Sequence, residues 1–321
     1  MKEEDWEPTR VAPPGDRRRP PIGRRHRLRD RRPSHDGIIL HRVKWWQART
    51  RQGDIYGRWR RRSSGGLAQP ANIYEVPTDY FGEDVAEHFD RRYAHLEARA
   101  IVDPMVDFIS GFATRGAALE LGVGTGRIAL PLAARGVRVH GIDLSGAMIS
   151  RLRAKPGSEK VSVTVGDIAT TSVEGVFSVA YIVANTIMNL TTQDEQVACF
   201  QNVGAHLEPH GYFVMEVLVP RLQRLPPGET YQPFAVTQSH LGFDEYDVVQ
   251  QRVISHHYWI DGDEVQVISP PFRYVWPSEL DLMARIAGMT LRERWSGWKR
   301  EPFTADSDKH VSVWQMSVQV R

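Results

Sequence analysis

Cysteine is almost missing from this chain: Cys199 stands alone. That excludes an internal disulfide framework, a Cys-rich zinc site and a Cys-x-x-Cys redox pair. Long apolar runs are missing too. No window approaches the roughly 18 consecutive apolar residues of a membrane span. Behind the basic N-terminal residues the apolar run Ile38-Ile39-Leu40 is too short for a signal peptide. No internal repeat is visible. What is present suffices for a core: of 321 residues, 41% are hydrophobic and 25% charged. A cytoplasmic protein is expected.

The net charge of +2 hides an asymmetry. Residues 1–65 hold 19 of the 41 Lys and Arg but 8 of the 39 Asp and Glu, and the remainder is net acidic. Nine of the sixteen residues from Arg17 to Arg32 are Arg. A segment that repels itself and has little to bury is expected to be disordered. Trp45, Trp46, Tyr56 and Trp59 then stand among Arg and Lys, a mixture suited to nucleic acid or an anionic membrane surface. The alternative is a solvated tail, or an extension upstream of the natural start. Ser63-Ser64-Gly65-Gly66 reads as a linker, so the expected division is a basic arm, 1–72, and a domain, 73–321.

Helix and strand patterns alternate after residue 73 as in a parallel sheet. Two leading helices, Val85–Leu96 and Ala100–Phe112, precede the strand Ala117–Leu121. Further strands are expected at Val137–Ile142, Val161–Val165, Phe177–Ala184 and Gly211–Val219. Thr192-Gln193-Asp194-Glu195 is a capping box that opens a helix to Leu207. Residues 220–275 read as a β-rich insertion, with strands at Asp247–Ile260, Val265–Ser269 and Phe272–Trp276. A helix from Pro277 to Gly288 and two strands, from Met289 and His310, close the pattern.

The first strand runs into Gly122-Val123-Gly124-Thr125-Gly126, glycines that let the backbone approach a ligand at a helix N-terminus. The spacing is not that of a dinucleotide site, and no Gly-Lys-Ser/Thr follows, which excludes a P-loop. Glu120, at the strand end, would repel pyrophosphate and welcome a cation. Asp143 ends the second strand, where an acid accepts bonds from ribose hydroxyls. Asp167-Ile168 ends the third, where an acid and an apolar residue suit an adenine edge and face. Together they indicate an adenosine-bearing, positively charged ligand.

These residues resemble the class I S-adenosylmethionine-dependent methyltransferases, over about residues 75–320. Glu120–Arg127, Gly141–Ser145 and Gly166-Asp167-Ile168 look like the family's first three motifs. The resemblance implies an α/β, Rossmann-like fold: a seven-stranded, mostly parallel sheet with its last strand antiparallel. It implies S-adenosylmethionine (SAM) as cofactor, with Asp143 on ribose, Asp167 on the adenine amino group, and Met148 and Ile168 on the adenine faces. The glycine loop (Gly122, Gly124, Gly126) and Glu120 would take the methionine part, with Leu144 and Ala184 also lining the cofactor. The subfamily looks like bacterial small-molecule methyltransferases, N-methyltransferases of aminosugars among them.

The fourth strand ends Ala184-Asn185-Thr186-Ile187-Met188-Asn189, without the Asp/Asn-Pro-Pro-aromatic motif of base-amino methyltransferases. Cys199 lies mid-helix, not in the Pro-Cys of cytosine C5 enzymes, and the Asp of metal-dependent catechol enzymes is absent. A small-molecule acceptor, methylated on N, O or C, is therefore the expected partner. An RNA methyltransferase using the basic arm, and a SAM-fold binding protein without catalysis, are the alternatives. Neither membrane nor metal is expected, nucleic acid is disfavoured, and a homodimer is compatible with the pattern. Methyl transfer needs mainly positioning, and a base is most useful for a hydroxyl. Asn185, His310 and Tyr93 are the catalytic candidates. Tyr93, Asn185, Asn189, Tyr231, Arg273 and Tyr274 are the expected acceptor contacts, Tyr93 from a lid helix. Alternation places His256 and His257 on opposite strand faces, which argues against a zinc site.

Overall fold

The computed structural model describes residues 81–113 and 116–317. The expectations for the basic arm, 1–72, fall outside the described residues. Two leading helices, α1 (Glu83–Arg92) and α2 (Arg99–Ser110), precede β1 (Ala117–Leu121). Then follow α3 (Ala129–Ala134), β2 (Val139–Asp143), α4 (Gly146–Arg153), β3 (Val161–Val165), β4 (Phe177–Ile182), α5 (Gln193–His206) and β5 (Leu207–Leu218). The insertion carries β6 (Tyr231–Val236), β7 (His240–Asp247), β8 (Arg252–Asp261), β9 (Glu264–Ile268) and β10 (Pro271–Arg273). The chain returns through α6 (Pro277–Ile286) to β11 (Met289–Trp295) and β12 (Lys309–Met316).

Seven strands form one sheet in the order β11-β12-β5-β4-β1-β2-β3. Strands β1 to β5 pair parallel, while β12 runs antiparallel to both β5 and β11. The fold is the expected α/β sheet with an antiparallel last strand. β4 is buried along its whole length, as an apolar strand covered on both faces must be. One core cluster packs α5 and α6 on one face, through Phe200, Phe213, Met283 and Trp314. The other packs α2 and α3 on the opposite face, through Met105, Ile109, Leu132 and Val179. Local chemistry sets the helix starts. Thr192 and Glu195 make the expected capping box on α5, at 3.2 and 2.9 Å. Ser145 caps α4 through the Met148 amide.

A second, antiparallel sheet runs β10-β8-β7-β6, with β9 beside β8. Here the structure departs from the sequence expectation of one strand over Asp247–Ile260. The chain turns at 248–251, and β7 lies before that turn. The Asp247 carboxylate accepts bonds from the Val249 and Gln250 amides at 3.0 and 3.1 Å, and Gln251 takes φ +53°. This side-chain turn overrides the strand preference of Val248-Val249. Among the described residues, no helix is long and apolar enough to cross a membrane.

Candidate active site at the strand ends

Gly122, Gly124 and Gly126 all have positive φ, +80°, +53° and +86°. A Cβ on Gly122 would strike Thr186 Cγ2 at 2.4 Å, so this glycine is also a packing requirement. A Cβ on Gly124 would meet nothing within 4 Å. The backbone there borders open space, a cradle for a ligand. The Gly124 amide donates to Asp143 Oδ2 at 2.6 Å and the Ser145 amide to Oδ1 at 2.9 Å. The carboxylate at the end of β2 is thereby fixed against the glycine loop. Asp167, past the end of the neighbouring β3, accepts from the Ala169 amide at 2.8 Å. Met148 and Ile168 are buried close by in sequence, while Leu144 is half exposed.

Glu120 is fully buried on β1 and accepts a bond from the Tyr181 hydroxyl at 2.9 Å. Burial pushes its carboxyl up to about 8. The Tyr181 hydroxyl, Arg127 and the Ala129 amide oppose that shift, and Asp143 adds to it. Any cation arriving beside Glu120 favours its ionised form.

Beyond β4, Ala184 and Asn185 are consecutive non-glycine residues at φ +53° and +65°. Such a pair stores strain that its surroundings must hold in place. Asn185 Oδ1 accepts from the Leu218 amide at 2.8 Å, and the Ala184 amide donates to Glu216 Oε2 at 3.3 Å. Trp298 Nε1 and Lys309 Nζ hold the other Glu216 oxygen at 2.9 and 2.8 Å. Asn185 thus ties β4 to β5 through its carbonyl. Asn189 ends the short turn that packs on the glycine loop through Thr186. Glu216 and Trp298 have no signal in the sequence, because their partners lie far along the chain.

Helix α1 joins the two sheets. Thr125 of the glycine loop donates to Asp90 at 2.6 Å, and Lys155 pairs with the same carboxylate at 2.7 Å. At the far end of α1, Tyr93 meets Trp259 edge-on at 6.4 Å. Arg92 lies over the Trp259 ring at 5.1 Å and bonds Gln266. The sheet face that carries Trp259 and Gln266 therefore turns toward the C-terminal end of α1. By register, His240, Asp244, Tyr246, Ser255 and His257 share that face.

The other acceptor candidates are placed differently. Tyr231 pairs with Glu245 on the opposite face of the second sheet and donates to it at 3.0 Å. Arg273 is buried: it donates to Gln196 at 2.5 Å and to Gln251 at 3.1 Å, and pairs with Glu279 at 2.6 Å. It anchors the insertion to α5 and α6. Tyr274 is buried beside it with its ring 6.0 Å from Tyr246. His310 is sealed within β12. Its Nδ1 meets Ser312 Oγ at 2.8 Å, and burial, with help from Arg294, pushes it down to about 3. A sealed imidazole cannot meet an acceptor. His256 and His257 lie on opposite faces, but His257 has a partner missed by sequence reading, His240 from the adjacent strand.

Comparison with known proteins adds four relations. The model of a family described as a methyltransferase domain matches residues 118–211. The CcbJ methyltransferase from Streptomyces caelestis is 34% identical, covering 76% of this chain and 100% of its own, with a TM-score of 0.68. Cypemycin N-terminal methyltransferase from Streptomyces sp is 26% identical over 199 residues, 61% of this chain and 81% of its own. In fold alone, the chain also resembles SAM-bound CalS10, an amino pentose methyltransferase from Micromonospora echinaspora. There the identity is 20%, the coverage 71% and 96%, and the TM-score 0.55.

Proposed function

The chain belongs to the class I S-adenosylmethionine-dependent methyltransferases, and from that premise we propose that its acceptor is an amine nitrogen of a small biosynthetic intermediate. The enzyme's methyl donor is SAM. When bound, it supplies an electrophilic methyl carbon on a positively charged sulfur. The residues at the strand ends fit it: the open space beyond Gly124 and the loop amides suit the methionine part, and Glu120 suits a cation. In this reading Asp143 holds the ribose, Asp167 the adenine amino group, and Met148 and Ile168 enclose the ring.

The acceptor then enters between α1 and the second sheet, over the end of β4. The observation that carries an acceptor with N–H groups is the polar sheet face of His240, Asp244, Tyr246, Ser255 and His257 turned toward that space. A relative named for methylating an N-terminus supports nitrogen over oxygen and carbon. Residues 73–321 act as the catalytic domain in the cytoplasm, with 220–275 as the acceptor cover and 1–72 as a separate arm. The chain's own work is positioning: α1 closes one side, the insertion roofs the other, and the pair exclude water from the reacting atoms.

The test is methyl transfer from tritiated SAM to a panel of amino sugars, short peptides with free N-termini, their hydroxyl counterparts and total RNA. Turnover of amines at least about tenfold above the alcohols is expected. Transfer confined to RNA or to alcohols would replace the nitrogen reading.

A further inference from the structure

The polar face of the second sheet carries a line of polar side chains that runs from His240 to Asp244. His240 Nε2 lies 3.0 Å from His257 Nδ1, with the two ring planes within 4° of parallel. His257 Nε2 lies 3.2 Å from Ser255 Oγ. Ser255 stands directly across the strand pair from Asp244, whose charged form the Ser255 and Tyr246 hydroxyls favour. Four side chains from two strands thus form a line that ends in a half-buried acid.

The direction of every bond in that line follows from the acid. An ionised carboxylate can only accept, so Ser255 donates to Asp244. Ser255 Oγ then accepts from His257 Nε2–H. A neutral imidazole with its proton on Nε2 must accept at Nδ1, so His240 donates to it from its own Nε2–H. That leaves His240 Nδ1 as a bare acceptor at the other end of the line. Among the described residues it has no hydrogen-bond partner. His240 itself is clamped by stacking on Trp259 at 3.7 Å, the ring that α1 grips through Arg92 and Tyr93.

We propose that His240 Nδ1 is the group that takes the proton from the methyl acceptor, and that the chain His240–His257–Ser255–Asp244 passes it to the carboxylate. This rests on the reading that the acceptor lies between α1 and the second sheet. The exchange balances. The acceptor N–H loses its proton as its nitrogen bonds to the methyl carbon, and the carbon–sulfur pair stays with sulfur, leaving neutral S-adenosylhomocysteine. Each imidazole gains a proton at Nδ1 and gives one up from Nε2, so neither becomes an imidazolium. Asp244 ends protonated, and the sulfonium charge and the carboxylate charge vanish together.

The surroundings suit a neutral relay. Facing His257 are Arg92 from α1 and His240 and Asp244 from β7, while His256, next to it on the strand, lies on the opposite face. Burial, with His240, Arg92 and His256 in the same direction, pushes His257 down to about 4. His240 is lowered by burial and then by Arg92. Asp244 is raised by burial, against the bonds from Ser255 and Tyr246 and the charge of His256. Imidazoles that resist protonation and a carboxylate with raised proton affinity are what transfer through the line requires.

Two measurements test this on the full chain. Long-range proton–nitrogen NMR of the imidazoles, in the complex with S-adenosylhomocysteine at pH 7.5, reads the tautomers without any acceptor. Both His240 and His257 are expected as neutral Nε2–H forms, with His240 shifting toward Nδ1–H in Asp244→Asn, whose amide can donate. A wild-type His240 that is Nδ1–H or charged would overturn the relay. The second measurement uses the panel amine turned over fastest. Asp244→Asn and Ser255→Ala should each lower kcat about 100-fold, with SAM affinity unchanged by calorimetry and the acid limb of the pH profile lost in Asp244→Asn. A kcat within about threefold of wild type in both variants would also overturn it. Failure of the whole panel with the expected tautomers would count against the amine reading and leave the relay standing on the NMR result.

Discussion

The proposed cofactor end of the cleft is held by main-chain groups, whereas its proposed roof is held by side chains. Asp143 is fixed by the amides of Gly124 and Ser145, and Asp167 by the amide of Ala169. In the insertion, Arg273 reaches Gln196, Gln251 and Glu279, and His257 reaches His240 and Ser255. Backbone donors at strand ends recur wherever a strand turns into a helix, so a short run of residues specifies them. Side-chain networks need partners from several elements, and no local spacing announces them.

The roof should therefore break first, and from one place. Arg273→Leu leaves the partly buried Glu279 without its cation and removes the charged bonds to Gln196 and Gln251, a loss of about 1.5–3 kcal/mol in stability. Chemical denaturation should show that loss, and the paired change Arg273→Leu with Glu279→Leu should recover most of it. SAM affinity measured well below the melting range should stay within about threefold of wild type. If affinity collapses with Arg273 alone, the two regions are not separable.

This contrast also marks how far the sequence was legible. The glycine loop, Asp143, Asp167 and the strand order follow from residues spaced along adjoining segments, and the sheet has that order. The insertion was legible as β-rich and aromatic. Its register was not, because Val248-Val249 has strand composition while Asp247 imposes a turn. Composition put Arg273 beside the acceptor, since an Arg among aromatics looks functional. Its burial depends on Gln196, 77 residues away, which nothing local reveals. His240 and His257 were separable as faces of strands but not as a pair, because pairing is a property of register.

Glu120 gives the cofactor end its own pH signature. Its carboxyl sits at about 8 against an ordinary 4.5, so the native state keeps a proton that the unfolded chain has released. Stability from this group is full below the unfolded value and is lost as pH rises through the folded one. The span corresponds to as much as roughly 5 kcal/mol between about pH 4.5 and 8. Glu120→Gln should flatten that fall. Urea midpoints of both proteins from pH 5.5 to 8.5 are the measurement, and parallel curves would remove Glu120 as the cause.

A smaller effect is expected at Asp143, the proposed ribose contact. Asp143→Ala should weaken SAM binding about 10- to 100-fold by calorimetry, as expected for the loss of two buried bonds. The same variant should leave the melting behaviour of the second sheet untouched. An unchanged affinity would take Asp143 out of the cofactor site.

The smallest expected effect lies at the joint, and it asks whether the two regions communicate. Asp90 is the α1 residue that meets the glycine loop, through Thr125 at 2.6 Å, and it also pairs with Lys155 just past α4 at 2.7 Å. Three residues on, Tyr93 meets the roof at Trp259. A rigid helix between them transmits any tilt from one end to the other. The ion pair with Lys155 is partly exposed, so it contributes little by itself, about 0–1 kcal/mol. The bond from Thr125 adds about 1 kcal/mol. Asp90→Ala should therefore raise the SAM dissociation constant and the acceptor KM together, each by about three- to tenfold, while Asp90→Asn, which still accepts from Thr125, should do less. Calorimetry for SAM and initial rates with the panel amine read the two numbers. If α1 is a joint, both move in the same variant. If SAM affinity moves while acceptor KM stays fixed, the helix belongs to the cofactor end alone, and the roof takes its position from Arg273 without it.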